Sequence, residues 1–186
     1  MILPIAAYGL PVLRQVATDI SPDYPDLQKI IQNLWETMYA SGGVGLAAPQ
    51  INQSIRVFVI DANPYSKEFK ESTNFKKVFI NAHIIKRTGE EWSLEEGCLS
   101  IPDIREEVSR PYNIRIKYVD EQFNMHDEVY EGIIARIIQH EYDHLDGVLF
   151  IDRINSLKRT LLKKKLSEIT KGNIKTAYKM IFPRLK

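Results

Sequence analysis

Apolar positions along this chain follow a helical period at both ends and come in short runs in the middle. Leu27, Ile30, Ile31, Leu34, Trp35 and Met38 fall three and four residues apart, which marks one helix face. Gly42-Gly43 follows where a C-cap would end that helix. Three β-branched runs come next, at residues 55–61, 77–81 and 114–120, each flanked by Asn, Pro, Gly or Asp, and these predict strands. The polar stretch 62–76 reads as a surface loop. A second helix is expected between Gly132 and Gly147, and a last one from about Ser156, with Leu157, Leu161, Leu162, Leu166 and Ile169 as its apolar face. Helices around a strand-rich middle predict an α+β fold rather than alternating βαβ units. The strand-rich core would pack around the Gly132–Gly147 helix, with a further helix at the C-terminus.

Composition narrows the function classes. No repeat, low-complexity stretch or linker divides the 186 residues, so a single domain spanning 1–186 is expected. With 44% hydrophobic residues the chain can bury a proper core. A net charge of +1 lacks the basic excess of a general nucleic-acid binder. No apolar run approaches the roughly 20 residues that cross a bilayer. The first eight residues lack the charged and apolar regions of a secretory signal. The single cysteine, Cys98, fits a reducing compartment, so a cytoplasmic location is expected. Its thiol is left with two fates, metal ligation or packing as a small hydrophobe.

Candidate chemistry starts at His140-Glu141-Tyr142-Asp143-His144. Two histidines four apart lie about 40° from each other around a helix, so both imidazoles can reach one metal ion. Glu141 falls at the edge of that face, where a carboxylate can act as a base without being a ligand. A salt-bridged helix is the bland alternative. A hydrolytic site also needs a third protein ligand. Thermolysin-like zincins use a helical Glu soon after the second His, but here Asp152 is the first acid beyond Gly147 and no helical Glu follows until Glu168. The metzincin extension fails too, because Phe150 stands where its third His should be. Cys98, within Glu95-Glu96-Gly97-Cys98-Leu99-Ser100, is the alternative. Residues 43–50, Gly-Val-Gly-Leu-Ala-Ala-Pro-Gln, read as a small-residue loop ending in an amide. Tight packing is its ordinary reading; close backbone approach to a ligand, with Gln50 as an oxyanion donor, is the functional one.

Taken together, the three segments resemble the signature motifs of the bacterial-type peptide deformylase family: G-x-G-L-A-A-x-Q, E-G-C-L-S and Q-H-E-x-D-H. All are intact and in order from Gly43 to His144, and the first helix and Ile101-Pro102 also look like the family. The resemblance implies that Cys98, His140 and His144 bind one divalent metal ion, Fe²⁺ in the cell, with Ni²⁺, Co²⁺ or Zn²⁺ able to replace it. It implies that Glu141 is the general acid/base and that Gln50 and the Leu99 N–H form an oxyanion hole. The reaction implied is removal of the formyl group from the formyl-methionine of new polypeptides, releasing formate. Neither a membrane nor free nucleic acid is expected as a partner.

Substrate contacts are expected from Val44, Gly45 and Gly97, with Gly45 holding the substrate backbone by strand-like pairing. Ile133 and Ile137 share a helix face with His140 and His144, and core packing is as good a reading for them as lining a methionine pocket. Arg136 stands where the family often lines that pocket; either its stem covers the pocket with the head in water, or it is a surface charge. Arg105 reads first as a solvated charge and second as a substrate contact. His83 and His126 read as surface or structural histidines. Asp143 either orients an imidazole or is an exposed helix acid. The basic cluster from Lys158 to Lys165 reads first as a solvated helix face, and second as a surface for ribosome contact. Two rivals remain, a metalloprotease using the same H-E-x-x-H and a protein that binds metal or formyl peptides without turnover.

Overall fold

A computed structural model of the chain describes residues 1–184. The last two positions of the expected 1–186 domain lie outside the described residues. Five strands form an antiparallel sheet in the order β2 (Gly45–Ala47), β3 (Val57–Asp61), β4 (Lys76–Cys98), β5 (Ile101–Val119) and β6 (Met125–Glu131). Helix α1 (Leu27–Ala40) packs on one face and α2 (Gly132–Leu145) on the other. Strand β3 shows why. Its Val57 and Val59 join the α1 side of the core, while Phe58 and Ile60 join the α2 side with Phe79, Ile114 and Ile116. A strand covered on both faces reads as a continuous apolar run, which is what made it visible in the sequence. Among the described residues no helix is long and apolar enough to cross a membrane.

Helix α2 is buried along almost its whole length, from Gly132 to Leu145. It stops where Gly147 takes a φ of +70°, and a Cβ there would come 2.8 Å from the backbone of Arg14. Only glycine meets both conditions without strain. Helix α3 (Ser156–Thr170) follows, capped by Asn155, whose side chain accepts from the Lys158 N–H at 2.8 Å. A small parallel pair, β1 (Ile5–Ala6) and β7 (Met180–Ile181), joins the two ends of the chain.

Four expectations need correction. The strands predicted at 77–81 and 114–120 are parts of much longer ones: β4 runs 23 residues and β5 runs 19, as a bulged hairpin. The outer part of β4 is solvent-exposed and charged, and β5 buries only alternate residues there, Arg110 among them, so no apolar run advertised either. Strand β6 went unpredicted because its burial only alternates between half-buried and exposed. The segment 62–76 is more than a loop, since it holds short 3₁₀ turns at Asn63–Tyr65 and Lys70–Ser72, and its Phe69 packs against the core. On α3, Leu162, Leu166 and Ile169 are buried, but Leu157 and Leu161 are 70% and 74% exposed. Those two lie roughly 100° or more around the helix from Leu162, beyond the arc that faces the core.

A polar cluster ties together the last three strands of the sheet, β4, β5 and the edge strand β6. Lys77 on β4 donates to Glu128 on β6 at 2.8 Å, and to the hydroxyls of Tyr118 on β5 and Tyr130 on β6 at 2.9 Å each. Burial alone would raise the Glu128 carboxyl, but Lys77 and the two tyrosines hold it down at about 2. A depressed folded value adds stability above the unfolded value of 4.5 and loses it as pH falls toward the folded one. Glu128→Gln should therefore lower the urea midpoint fully above about pH 4.5, with the deficit closing toward about pH 2. Urea titrations of parent and variant across that range check this; a deficit independent of pH would refute it.

Candidate metal and active site

The last residue of β4 and one face of α2 converge. Cys98 ends β4, and the Cys98, His140 and His144 ligand atoms all lie within 4.8 Å of one another. The Cys98 Sγ stands 3.3 Å from His144 Nε2. His140 Nδ1 faces Glu96 Oε2 at 3.0 Å, which leaves its Nε2 for the cluster. One thiol and two imidazoles at this spacing fit a transition-metal ion, and three protein ligands leave a position open for chemistry. Phe150, where a metzincin would place its third His, packs with its ring centroid 6.2 Å from that of His140.

Glu96 is the residue that sequence reasoning passed over. It sits two positions before Cys98, and in a strand that places both on one face. Its carboxylate accepts from Arg110 at 2.6 and 2.8 Å, and from Arg136 at 2.7 Å, besides facing His140. Burial would raise this carboxyl, but the bonds from Arg110 and His140 hold it well below the usual carboxylate range. Arg110 also donates to Asp143 at 2.8 Å, and Asp143 accepts from Arg153 as well. Asp143 is thus a buried ion-pair member, neither an exposed acid nor a direct partner of an imidazole. The strand spacing between Glu96 and Cys98 could have flagged Glu96; nothing local could have flagged Arg110.

Arg136 is not a surface charge, and its head does not reach water. The side chain is buried, its guanidinium bonded to Glu96 and to the carbonyls of Val108 and Trp92, with its Cζ 4.9 Å over the Trp92 ring. It lines the cavity, yet its head is held inside an ion-pair network rather than in water. Arg105 is the rim charge expected, 62% exposed in its side chain and paired with Glu95 at 2.8 Å. His83 and His126 pair with Asp19 and Asp120 away from the cluster.

A cavity of about 500 Å³ opens beside the ligands. Val44 and Gly45 line it from the sheet's edge, Gly97 and Leu99 from the hairpin end, and Ile133 and Ile137 from α2. The two isoleucines serve in the core as well as on the cavity wall. His144 lies deeper and does not line the opening. Glu141 does, and burial pushes its carboxyl up to about 7. Its Oε2 has no partner among the described residues. Gly45 makes room for it, because a Cβ there would stand 2.8 Å from Glu141 Cγ. Gln50 Oε1 accepts the Ala47 N–H at 2.9 Å, which sets the amide's orientation and turns its NH₂ toward Cys98 Sγ at 3.5 Å and Ser100 Oγ at 3.3 Å. The segment read from sequence as a loop is a short edge strand, β2, followed by a 3₁₀ turn over Ala48–Ile51.

A Cys-His-His cluster that could hold a metal with one side open, beside a buried acid in a partly apolar cavity, is the arrangement of metal-dependent hydrolases. Comparison with known proteins narrows that class. The model of the polypeptide deformylase family matches residues 2–160. The peptide deformylase of Flavobacterium johnsoniae is 55% identical over 193 residues, covering 100% of this chain and 98% of that protein. A peptide deformylase crystal structure from Legionella pneumophila superposes with a TM-score of 0.79 at 34% identity, covering 93% of this chain and 98% of that one. A Met-Ala-Ser-bound structure of a class I type b peptide deformylase from Acinetobacter baumannii gives a TM-score of 0.74 at 35% identity, over 83% of this chain and 99% of that one. The chain belongs to the polypeptide deformylase family, and it is a hydrolase of that kind.

Two variants test how the site is built. Glu96→Gln leaves buried guanidinium groups short of a counter-charge, so stability should fall by about 3–5 kcal/mol and metal affinity by about 10–100-fold. Metal competition titration and urea unfolding measure both, and parental values in both would refute the role of Glu96. Gly45→Ala should displace Glu141 and cut turnover at least tenfold while metal content stays parental; full activity would show that the carboxylate does not need that space.

Proposed function

We propose that Cys98, His140 and His144 hold one divalent metal ion, and that Glu141, Gln50 and the Leu99 N–H carry the removal of the formyl group from N-terminal formyl-methionine. Fe²⁺ is the ion proposed for the cell, with Ni²⁺, Co²⁺ or Zn²⁺ able to take its place. The observation that carries this reading is the convergence of the three ligand atoms within 4.8 Å, beside a buried Glu141 that lines the same cavity. When bound, the ion supplies Lewis acidity, polarising a carbonyl and making water a better acid near neutral pH.

The chain's own groups do the rest. Glu141, with a carboxyl poised near neutrality, takes a proton from the attacking water and hands it to the departing amine, a contribution of about 10²–10⁴ in rate. Gln50 and the Leu99 N–H donate to the oxygen that gains charge, and each such donor is worth about 2.7–4 kcal/mol. The bond from Ala47 keeps the Gln50 amide from turning away. Strand β2 ends the sheet, so its outer edge, at Val44 and Gly45, offers backbone groups to an extended peptide. Ile133, Ile137 and the stem of Arg136 line the wall that receives the methionine side chain. Gly97 and Arg105 meet the residues that follow. The Met-Ala-Ser bound to the Acinetobacter baumannii relative supports a peptide in this cavity.

Nascent formyl-methionyl chains are the partners in this reading, in the cytoplasm, with residues 1–186 acting as one catalytic domain. Ribosome contact would run through α3, whose exposed Leu157 and Leu161 lie among the basic residues from Lys158 to Lys165. Formate release from a short formyl-methionyl peptide tests the chemistry. Nickel-loaded parent should release formate, and Glu141→Gln should lose about 10²–10⁴ of the rate while keeping its metal. A metal-loaded variant as fast as the parent would remove Glu141 from the mechanism. A metal-loaded parent that releases nothing would sink the reading.

A further inference from the structure

The Leu99–Ser100 turn joins β4 to β5, with Cys98 paired to Ile101 across it. Both of its carbonyls are held by the ends of the chain. Ser100 O accepts the Tyr8 N–H at 2.8 Å, just past β1. Leu99 O accepts the Tyr178 hydroxyl at 2.8 Å, just before β7. The two ends are themselves tied, since Ile5 N–H donates to Lys179 O and Ala7 N–H to Ile181 O, each at 2.9 Å. Thr176 Oγ1 donates to Tyr178 O at 2.6 Å and braces the approach to β7. Lys175, Thr176, Ala177 and Tyr178 all line the cavity beside Cys98 and Glu141. This segment lies beyond residue 160, where the family match ends.

We infer that the C-terminal segment is part of the deformylase site and that Tyr178 is a positioning residue for the Leu99 backbone. The inference rests on the reading of the Leu99 N–H as an oxyanion donor. Leu99 contributes two peptide planes. One carries the N–H next to the Cys98 ligand; the other carries the carbonyl that Tyr178 holds. Only the φ and ψ of Leu99 separate them, so fixing the carbonyl limits how far the N–H can swing. A donor aimed in advance at a developing charge is worth more than one that must reorient. Tyr178 also packs with Leu99 against the α1 side of the core, so the phenol is anchored on its apolar face.

Tyr178→Phe removes one oxygen and leaves the ring. Zinc-loaded parent and variant would be compared in three ways: amide exchange at Leu99 and Ser100, metal content, and steady-state deformylation of formyl-Met-Ala. Faster exchange at the turn, parental metal content, and a kcat lower by about three- to tenfold at an unchanged KM are expected. A parental kcat and parental exchange would overturn the inference, as would a loss confined to thermal stability. Should the parent itself release no formate, the proposed chemistry fails on its own account, and exchange at Leu99 and Ser100 still decides whether Tyr178 holds the turn.

Discussion

One buried carboxylate ties the site together. Glu96 on β4 accepts from Arg110 on β5 and from Arg136 on α2, and it faces His140 on the same helix. Taking charges out of water is costly, and such a cluster persists only when each member has partners with good geometry. Here the partners come from two elements, β5 of the hairpin and the distant helix α2, so satisfying the charges fixes helix against hairpin. Cys98 follows two residues along the same strand and His144 follows one turn along the same helix. The ion-pair network thus braces the two elements that bring Cys98, His140 and His144 together. A second tie, from Arg110 through Asp143 to Arg153, extends the network to the segment that leads into α3.

The two faces of the sheet divide the labour. The α1 side is apolar and continuous. The α2 side mixes Phe58, Phe79 and the isoleucines with a helix that carries charged groups and the two clustered histidines on its other flank. Such a helix is stable in the interior because its polar groups are bonded to the hairpin. Glu141 Oε2, like Arg136 Nε and His144 Nδ1, is bonded to none of the described residues, and burial pushes the Glu141 carboxyl up. Unpaired polar atoms of this kind are costly, and they concentrate where a site needs them.

What could be read from the sequence was whatever depends on local spacing. The histidine pair needs only a helix, so H-E-x-x-H put His140 and His144 on one face, and the motif around Cys98 named the thiol that the fold brings beside them. Helices α1 and α2 showed because one buried stripe or one wholly buried segment leaves a plain pattern. The hairpin did not show, because the outer part of β4 is exposed on both faces, the buried positions of β5 there include the polar Arg110, and its stability comes from pairing with the neighbouring strand. For the same reason Arg110 stayed hidden and Arg136 was misplaced: their burial exists only once β4, β5 and α2 are assembled. The small-residue segment read as a loop became an edge strand because β3 lies beside it, and Tyr178 carries no motif at all.

The central claim is that one metal ion sits on the Cys98 thiolate and two imidazoles. X-ray absorption at the metal edge of zinc-reconstituted protein tests it most directly. One sulfur neighbour at about 2.3 Å and nitrogen or oxygen neighbours at about 2.0–2.1 Å are predicted, with the sulfur shell lost in Cys98→Ser. A parent spectrum with no sulfur shell would contradict the account.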